Sequence, residues 1–250
     1  MDLRSRRALV TGGAVRIGRA VCERLAESGC DVAVHYRRSG DEAEQLVEAL
    51  RRRGVRSFAV AGELGSERDC EALLAAAWQK TGGLDILVNN AAVFHKDDLA
   101  SVTEEKLLGE IRVNLFAPLF LTRAFAARVR GPDRPAGRAV RGKVVNLLDR
   151  RIVGQDPACL PYVLSKKMLA AFTRTAAVEL APEITVNGVA PGAVLAPVGE
   201  GEEAVREAAG RAPLRHRCTP DDVAQAVRYL LTSDAVTGQI VFVDAGQHLL

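Results

Sequence analysis

The sequence predicts an α/β fold with a single doubly wound, Rossmann-type parallel sheet of about seven strands and helices on both faces. Short runs of β-branched and other apolar residues alternate with longer amphipathic segments, which is the pattern of repeated strand–helix units. Several short runs are almost continuously apolar, as strands buried on both faces of a parallel sheet should be. Such units assemble through right-handed crossovers, and 250 residues suffice for one domain, residues 1–250.

The predicted elements follow one another in a regular order. Strands are predicted at residues 7–11, 31–36, 55–61, 84–89, 143–148, 185–189 and 240–243, and helices at residues 17–28, 41–53, 67–80, 104–129, 162–180 and 220–231. Gly29, Gly54 and Gly82 directly follow the first three helices, where a glycine C-cap is typical. Ser66 precedes the third helix, with Asp69 three residues later, and suits an N-cap.

Two segments depart from this order. Residues 131–142 are rich in proline, glycine and arginine and are predicted to form a mobile surface loop. Residues 191–210 interrupt the alternation after the sixth strand. Because loops at the carboxyl ends of parallel strands carry ligand sites in this fold, we expect a substrate lid at about residues 192–212.

Composition and charge narrow the class of protein. The formal net charge is only +3 and the arginines are dispersed, which argues against a nucleic-acid partner. No apolar stretch is long enough to span a bilayer, and we expect no signal peptide. The five cysteines are scattered without C-x-x-C spacing and the four histidines are dispersed. We therefore expect reduced thiols in a cytoplasmic protein, no metal site, and a small-molecule substrate.

The stretch TGGAVRIG, residues 11–18, is predicted to form the turn between the first strand and the first helix. In a doubly wound sheet this turn offers backbone N–H groups and a helix dipole to a pyrophosphate. Gly12, Gly13 and Gly18 suit the tight turn, whereas Arg16 stands where a third loop glycine is expected. The arginine is either an ordinary surface residue or a contact for phosphate or substrate.

The end of the second strand predicts NADPH as the cofactor. NAD-selective sites usually carry an acidic residue there, which binds the ribose 2′-hydroxyl. Here the strand ends HYRRSG, with no carboxylate before Asp41. Arg37 and Arg38 offer guanidinium groups, and Ser39 a hydroxyl, that suit a 2′-phosphate. The alternative is a solvated basic turn.

Tyr162 and Lys166 are predicted to share one face of a helix, because they are four residues apart. A lysine in that position, together with an oxidised nicotinamide, is expected to lower the pKa of the tyrosine from about 10. Tyr162 would then serve as a general acid or base. By itself the Y-x-x-x-K spacing is frequent by chance, and a surface Tyr/Lys pair is the alternative.

Several motifs together carry a family resemblance. In chain order they are TGGAVRIG, the segment NNAA at residues 89–92, Asn114, the Tyr162/Lys166 pair and the dipeptide Pro191-Gly192. In this order and spacing they resemble the short-chain dehydrogenase/reductase family over essentially the whole chain. The resemblance implies a dimeric or tetrameric NAD(P)H oxidoreductase, and we expect a homotetramer. It also implies that Tyr162 is the general acid/base, Lys166 holds the nicotinamide ribose, and Asn114 anchors a proton-relay water.

The resemblance implies a set of cofactor contacts as well. They are Gly12, Arg16, Ile17, Gly18, Tyr36, Arg37, Arg38, Ser39, Glu63, Leu64, Asn90, Ala91, Ala92, Lys166, Pro191 and Gly192. Three positions depart from the family pattern. Glu63 stands where an aspartate commonly meets the adenine, while Ala92 and Val194 each lack a hydroxyl that many relatives carry.

Asp149 is a larger departure. Thirteen residues before Tyr162, most relatives carry a serine that donates to the substrate carbonyl. An ionised carboxylate cannot donate such a hydrogen bond, and it raises the pKa of a nearby phenol. Asp149 therefore disfavours ketone reduction and favours a substrate with N–H groups. The alternative is a capping or turn aspartate.

Arg16, Asp149 and Phe94 together resemble the pteridine reductase branch of the family, which includes bacterial dihydromonapterin reductases. The resemblance implies that Arg16 contacts both a cofactor phosphate and the pterin, and that Phe94 sandwiches the pterin ring against the nicotinamide. Asp149 and Tyr162 would lie beside the heterocycle. Phe94 has core packing as its alternative role.

The sequence therefore predicts an NADPH-dependent reductase of a pterin or dihydropterin. Two alternatives stay open. One is a carbonyl reductase of the same family that acts on 3-oxoacyl, sugar or quinone substrates. The other is a catalytically silent NADPH-binding sensor or scaffold.

Overall fold

Seven parallel strands form one sheet in the order β3-β2-β1-β4-β5-β6-β7 in the computed structural model, which describes residues 1–131, 140–196 and 201–250. The strands are β1 (Arg7–Val10), β2 (Asp31–Tyr36), β3 (Ser57–Ala61), β4 (Ile86–Asn89), β5 (Gly142–Leu147), β6 (Ile184–Pro191) and β7 (Ile240–Val243). The strand order reverses between β1 and β4, so a topological switch point, where such sheets bind ligands, lies between them. The predicted fold class is confirmed.

Helices cover both faces of this sheet. They are α1 (Arg16–Glu27), α2 (Gly40–Arg52), α3 (Glu67–Thr81), α4 (Glu104–Ile111), α5 (Ala117–Val129), α6 (Leu160–Glu179), α7 (Glu203–Arg211) and α8 (Pro220–Thr232). One buried cluster joins α1, α2 and α8 to one face through residues such as Val21, Leu46 and Leu230. A second cluster, with Leu73 and Phe125, joins α3, α5 and α6 to the other face.

Local sequence signals explain where several helices begin and end. The Ser66 side chain accepts a hydrogen bond from the Asp69 backbone N–H at the start of α3, as predicted. The three glycines after α1, α2 and α3 adopt positive φ angles of 82°, 88° and 71°. L-residues with a side chain rarely adopt that conformation, so these glycines let the chain leave each helix.

The structure departs from the predicted elements in two places. The helix predicted at residues 104–129 is divided between α4 and α5 by a π-helical turn, Arg112–Phe116. The segment predicted as a lid contains α7, a helix that the sequence pattern did not reveal.

Parts of two predicted segments lie outside the described residues. They are 132–139, within the predicted surface loop, and 197–200, within the predicted lid. In the described ranges, no helix is both long enough and apolar enough to cross a membrane.

Candidate active site

Two cavities meet at the carboxyl edge of the sheet. The first, which we call the loop cavity, has a volume of about 470 Å³ and lies between the TGGAVRIG turn and the ends of β2, β3 and β4. The second, the outer cavity, has a volume of about 940 Å³ and reaches from the end of β5 to α7. Arg16, Ala92 and Tyr162 line both cavities, so these three residues mark the junction between them.

The glycine turn brings backbone close to the loop cavity. Gly12 has a φ of +60°, and a Cβ placed on Gly18 would collide with the Gly12 carbonyl oxygen. These positions therefore require glycine. Asn90 ties the turn to the end of β4, because its Nδ2 donates to the carbonyl oxygens of Thr11 at 2.9 Å and Gly12 at 3.0 Å.

Arg16 also adopts a backbone conformation that favours glycine, with a φ of +55°. This accounts for the glycine expected here from the family pattern, and a side chain in that region costs roughly 1–2 kcal/mol. The Arg16 guanidinium donates to the carbonyl oxygen of Ala196 at 2.7 Å. The side chain therefore extends from the glycine turn to the segment predicted as a lid.

Ten of the predicted cofactor residues come together in the walls of the loop cavity. They are Gly12, Arg16, Ile17, Gly18, Arg37, Glu63, Leu64, Asn90, Ala91 and Ala92. The structure does not bring the other six into these walls: Tyr36, Arg38, Ser39, Lys166 and Pro191 lie outside both cavities, and Gly192 lines the outer cavity.

Arg37, at the end of β2, forms a long and exposed ion pair with Glu63. Arg37 and Glu63 both line the loop cavity, with Nη1 and Oε2 3.8 Å apart, and their side chains are 42% and 64% exposed. A pair so exposed contributes little to stability. The guanidinium of Arg37 is therefore available to an anionic ligand.

His35 forms a hydrogen bond with the glycine turn, a role that was not predicted from the sequence. Its Nδ1 accepts the Gly12 backbone N–H at 3.0 Å, and its Nε2 lies 3.2 Å from the Gly62 carbonyl oxygen. These partners require a neutral ring with the proton on Nε2. Burial lowers the pKa of His35 from 6.5 to about 4, which keeps the ring neutral. A histidine inside an otherwise apolar strand was the available signal.

Asp149 and Tyr162 are in direct contact at the junction of the cavities. The Tyr162 hydroxyl donates to Asp149 Oδ2 at 3.1 Å. Asp149 caps the short 3-10 turn after β5, Arg150–Ile152, by accepting from the Arg151 backbone N–H. The predicted capping role and the predicted partnership with the phenol are thus both present.

Lys166 lies one helical turn beyond Tyr162 and is almost completely buried. Its Nζ donates to the Leu147 carbonyl oxygen at 2.7 Å and lies 5.8 Å from the centroid of the Tyr162 ring. Burial lowers the pKa of Lys166 to about 8.

Two opposing effects on the pKa of Tyr162 were expected from the sequence: Lys166 with an oxidised nicotinamide lowering it, and Asp149 raising it. Burial and the neighbouring Asp149 raise this pKa well above 10, although Arg151 partly offsets them. The lowering expected from Lys166 does not prevail. That expectation assumed an oxidised nicotinamide beside the phenol; in the protein alone, desolvation and the carboxylate dominate. Tyr162 is therefore a protonated phenol, able to donate.

Asn114 lies in the π-helical turn and is fully buried. Its Oδ1 accepts from the Val93 N–H at 2.9 Å, and its Nδ2 lies within 3.0 Å of Glu110 Oε2 and Ser165 Oγ. Glu110 also accepts from the backbone N–H of His95. The π-turn thus holds the amide between α4, α6 and the segment after β4.

Phe94 packs on Tyr162 and also lines the outer cavity. Its ring packs edge to face on Tyr162, with centroids 4.9 Å apart and an interplanar angle of 86°. It also lines the outer cavity. The ring is therefore core packing on one side and a surface for a flat ligand on the other.

Arg151 is a further site residue that the sequence analysis did not single out. Its guanidinium forms ion pairs with Asp149 and Asp156, at 3.2 Å and 2.8 Å. Together with Arg150 it lines the outer cavity. The dipeptide of arginines after Asp149 was visible in the sequence, but nothing local distinguishes one arginine from the other.

His248, near the C-terminus, contacts two side chains of the same chain. His248 Nδ1 lies 2.9 Å from Asp244 Oδ2, and the ring stacks on Phe242 with centroids 4.1 Å apart. Asp244 in turn lies beside Gly192, where a Cβ would come within 2.7 Å of the aspartate Cβ. His248 therefore helps to hold the turn after β6.

A glycine turn at the switch point of a doubly wound sheet, with a Tyr/Lys pair at the same edge, defines a dinucleotide-dependent oxidoreductase. Comparison with known proteins identifies the family. A profile described as enoyl-(acyl carrier protein) reductase matches residues 13–248. The chain belongs to the short-chain dehydrogenase/reductase family.

Sequence relatives carry several different names. A glucose and ribitol dehydrogenase homolog of Oryza sativa subsp. japonica is 34% identical over 98% of this chain and 86% of its own length. A 3-oxoacyl-[acyl-carrier-protein] reductase FabG of Staphylococcus aureus is 31% identical over 97% of this chain and 98% of its own.

Two solved structures of proteins named FolM alternative dihydrofolate reductase 1 are similar to this chain. FolM alternative dihydrofolate reductase 1 from Brucella canis, complexed with NADP, has a TM-score of 0.92 at 32% identity and covers 100% of this chain and 96% of its own. The protein of the same name from Brucella suis, also in complex with NADP, has a TM-score of 0.87 at 33% identity, with coverage of 98% and 96%.

Proposed function

We propose that the protein is an NADPH-dependent reductase of a pterin or dihydropterin. The observation that carries this proposal is the hydrogen bond from the Tyr162 hydroxyl to Asp149. A carboxylate in this position accepts hydrogen bonds and cannot donate one to a carbonyl oxygen. The site therefore suits a ring that presents N–H groups.

The residues of the loop cavity fit NADP(H). The loop cavity lies against the glycine turn at the N-terminal end of α1, where the helix dipole favours a pyrophosphate. Arg37, half exposed at the end of β2, would bind the 2′-phosphate. Lys166, which lies outside the cavity walls, would hold the nicotinamide ribose as the family resemblance implies. Both Brucella FolM structures are complexes with NADP, which supports the same cofactor here.

In a dihydropterin the bond that is reduced is a ring C=N bond. When bound, NADPH supplies a hydride to the carbon of that bond. Tyr162 donates its proton to the nitrogen, so carbon and nitrogen gain one hydrogen each. Asp149 accepts hydrogen bonds from N–H groups of the ring, and Lys166 stabilises the resulting phenolate by its positive charge.

The outer cavity would hold the pterin. Phe94 offers a flat apolar surface beside Tyr162, and Arg16 lies at the junction of the two cavities. Stacking of a heterocycle on an aromatic ring stabilises it by about 0.5–1.5 kcal/mol beyond area burial. The segment that contains α7, with Val205 in the cavity wall, would act as the lid.

The test is NADPH oxidation, followed by absorbance, with dihydromonapterin, dihydrobiopterin and a panel of 3-oxoacyl thioesters, sugars and quinones. We expect turnover of at least one pterin with a higher kcat/KM than any carbonyl compound. Good turnover of carbonyl compounds alone would establish a carbonyl reductase instead. No turnover of either class, with NADPH still bound, would favour a sensor or scaffold.

We also propose that the protein is a homotetramer. One face of α6 carries apolar side chains that are exposed, among them Leu164, Met168 and Val178 at 40%, 37% and 81%. Their spacing of four and ten residues places them along one stripe of the helix. A stripe of this kind suits contact with another copy of the chain.

A further inference from the structure

Arg151 lies beside the proposed catalytic pair, Asp149 and Tyr162, and its guanidinium contacts three side chains. Its Nε donates to Asp156 Oδ2 at 2.8 Å, and its Nη1 lies 3.2 Å from Asp149 Oδ2. The guanidinium carbon lies 5.8 Å from the centroid of the Phe94 ring. A planar guanidinium with two carboxylate partners and an aromatic neighbour is preorganised. It is therefore part of the wall rather than a mobile clamp for substrate.

The Asp149 carboxylate receives hydrogen bonds from two parts of Arg151. Oδ1 accepts the Arg151 backbone N–H at 2.8 Å, and Oδ2 accepts both Nη1 at 3.2 Å and the Tyr162 hydroxyl at 3.1 Å. The Asp149 side chain is only 13% exposed. The direction in which the carboxylate points is thus determined by Arg151 on one side and Tyr162 on the other.

We propose that Arg151 is a positioning residue that directs the Asp149 carboxylate towards Tyr162 and the substrate. This inference rests on the proposed pterin reduction, because an N–H-bearing substrate needs an acceptor at Asp149. Arg151 acts through Asp149 and not on the substrate. Its hydrogen bonds to the carboxylate are charge-assisted, and such bonds are about twice as strong as neutral ones.

The charges around the Asp149/Tyr162 pair come from four parts of the chain. They are Arg151 in the 3-10 turn, Asp156 in the loop that follows it, Lys166 on α6 and Glu110 on α4. Burial and Asp149 raise the pKa of Tyr162, and Arg151 lowers it. Without the guanidinium, the phenol loses its proton at higher pH.

The experiment compares the pH dependence of kcat/KM in the full-length protein and three variants with NADPH and a dihydropterin. Arg151→Gln removes the positive charge, and Arg151→Lys keeps it but lacks the rigid planar fork through which the guanidinium bonds Asp149 and Asp156. Arg68→Gln is the charge-matched control, because Arg68 lies exposed on α3 outside both cavities and its side chain forms no hydrogen bond or ion pair within residues 1–131, 140–196 and 201–250.

For Arg151→Gln we expect the alkaline limb of the profile, which reports Tyr162, to move to higher pH, because the guanidinium lowers the pKa of the phenol. We also expect kcat at neutral pH to fall about tenfold. Arg151→Lys should restore the position of this limb while kcat stays below the parent value, and Arg68→Gln should leave the limb in place. A uniform loss of rate without movement of the limb, or an equal movement in Arg68→Gln, would overturn the inference.

Two controls keep this result separate from the proposed function. The unmodified protein is assayed first, and failure to reduce any pterin refutes the proposed function alone; the limbs are then measured with whichever carbonyl substrate is turned over. NADPH affinity, measured by fluorescence, shows that each variant is folded. If Arg151→Gln does not fold, Arg151→Lys still tests the inference, since parental kcat with parental limbs would contradict it.

Discussion

At the scale of single residues, the proposed preference for pterins depends on Asp149. Replacing it with serine restores a hydroxyl that can donate to a carbonyl oxygen and removes the acceptor for ring N–H groups. We expect Asp149→Ser to lower kcat/KM for dihydropterins about a hundredfold, equivalent to about 2.7 kcal/mol, and to leave or increase the rate with ketones. Steady-state kinetics on both substrate classes measure this.

The matched control for that change is Asp98→Ser, an aspartate on the surface outside both cavities. It should leave the ratio of the two activities unchanged. Equal losses for pterins and ketones in Asp149→Ser would mean that the aspartate supports the site only structurally.

Arg16 combines a strained backbone with a guanidinium that lies at the junction of the two cavities. Its φ of +55° is unfavourable for alanine and favourable for glycine, so Arg16→Gly should be about 1 kcal/mol more stable than Arg16→Ala. Denaturant unfolding of the two variants measures the difference. Both should bind NADPH more weakly than the parent, because both lack the guanidinium. Equal stabilities would show that the turn relaxes when the side chain is removed.

At the scale of elements, His35 couples the end of β2 to the glycine turn. In the folded protein its pKa is lowered to about 4, whereas in the unfolded chain it is about 6.5. A lowered pKa means that the unfolded state binds the proton first. The contribution of His35 to stability is therefore complete above pH 6.5 and declines as the pH falls towards 4, by about 3 kcal/mol in all.

His35→Asn isolates this contribution, because an asparagine oxygen can still accept the Gly12 N–H but does not titrate. The free energy of unfolding, measured between pH 7 and pH 4 for both proteins, should fall less steeply in the variant. Parallel curves would show that His35 takes up its proton equally in both states.

At the scale of elements, sequence patterns alone predict the bounds of some strands but not the π-helical turn. β2 and β7 have the predicted bounds because their apolar runs end abruptly at polar residues and glycines. The π-turn at Arg112–Phe116 could not be predicted, because its cause is tertiary. The buried Asn114 amide bonds to Val93 and Ser165, and no local pattern of apolar residues records those partners.

In the site, too, some features follow from the sequence and others depend on contacts made only in the fold. The order of its motifs predicted which residues gather at the carboxyl edge, and Tyr162 and Asp149 do meet there. The separate roles of Arg150 and Arg151 were not predictable, since Asp156 selects one of two adjacent arginines through a contact made only in the fold. Likewise, Arg38 and Ser39 follow Arg37 directly but do not reach the loop cavity.

At the scale of the whole molecule, the exposed apolar stripe on α6 leads to a prediction about assembly. We expect a tetramer by light scattering coupled to gel filtration. Met168→Glu places a charge on the stripe and should dissociate it, since an unpaired charge in an apolar interface is unfavourable. Tyr229→Glu, on an exposed apolar residue of α8, is the control and should not. A parent protein that elutes as a monomer would refute the proposal.

The central claim is that a hydride passes from NADPH to a ring carbon of a dihydropterin. The most direct measurement uses NADPH that carries deuterium at the transferable position of the nicotinamide. The product, analysed by mass spectrometry and NMR, should contain one deuterium, located on the ring carbon next to the newly protonated nitrogen. A pterin recovered without deuterium, while a ketone in the same mixture becomes labelled at its carbonyl carbon, would contradict the account.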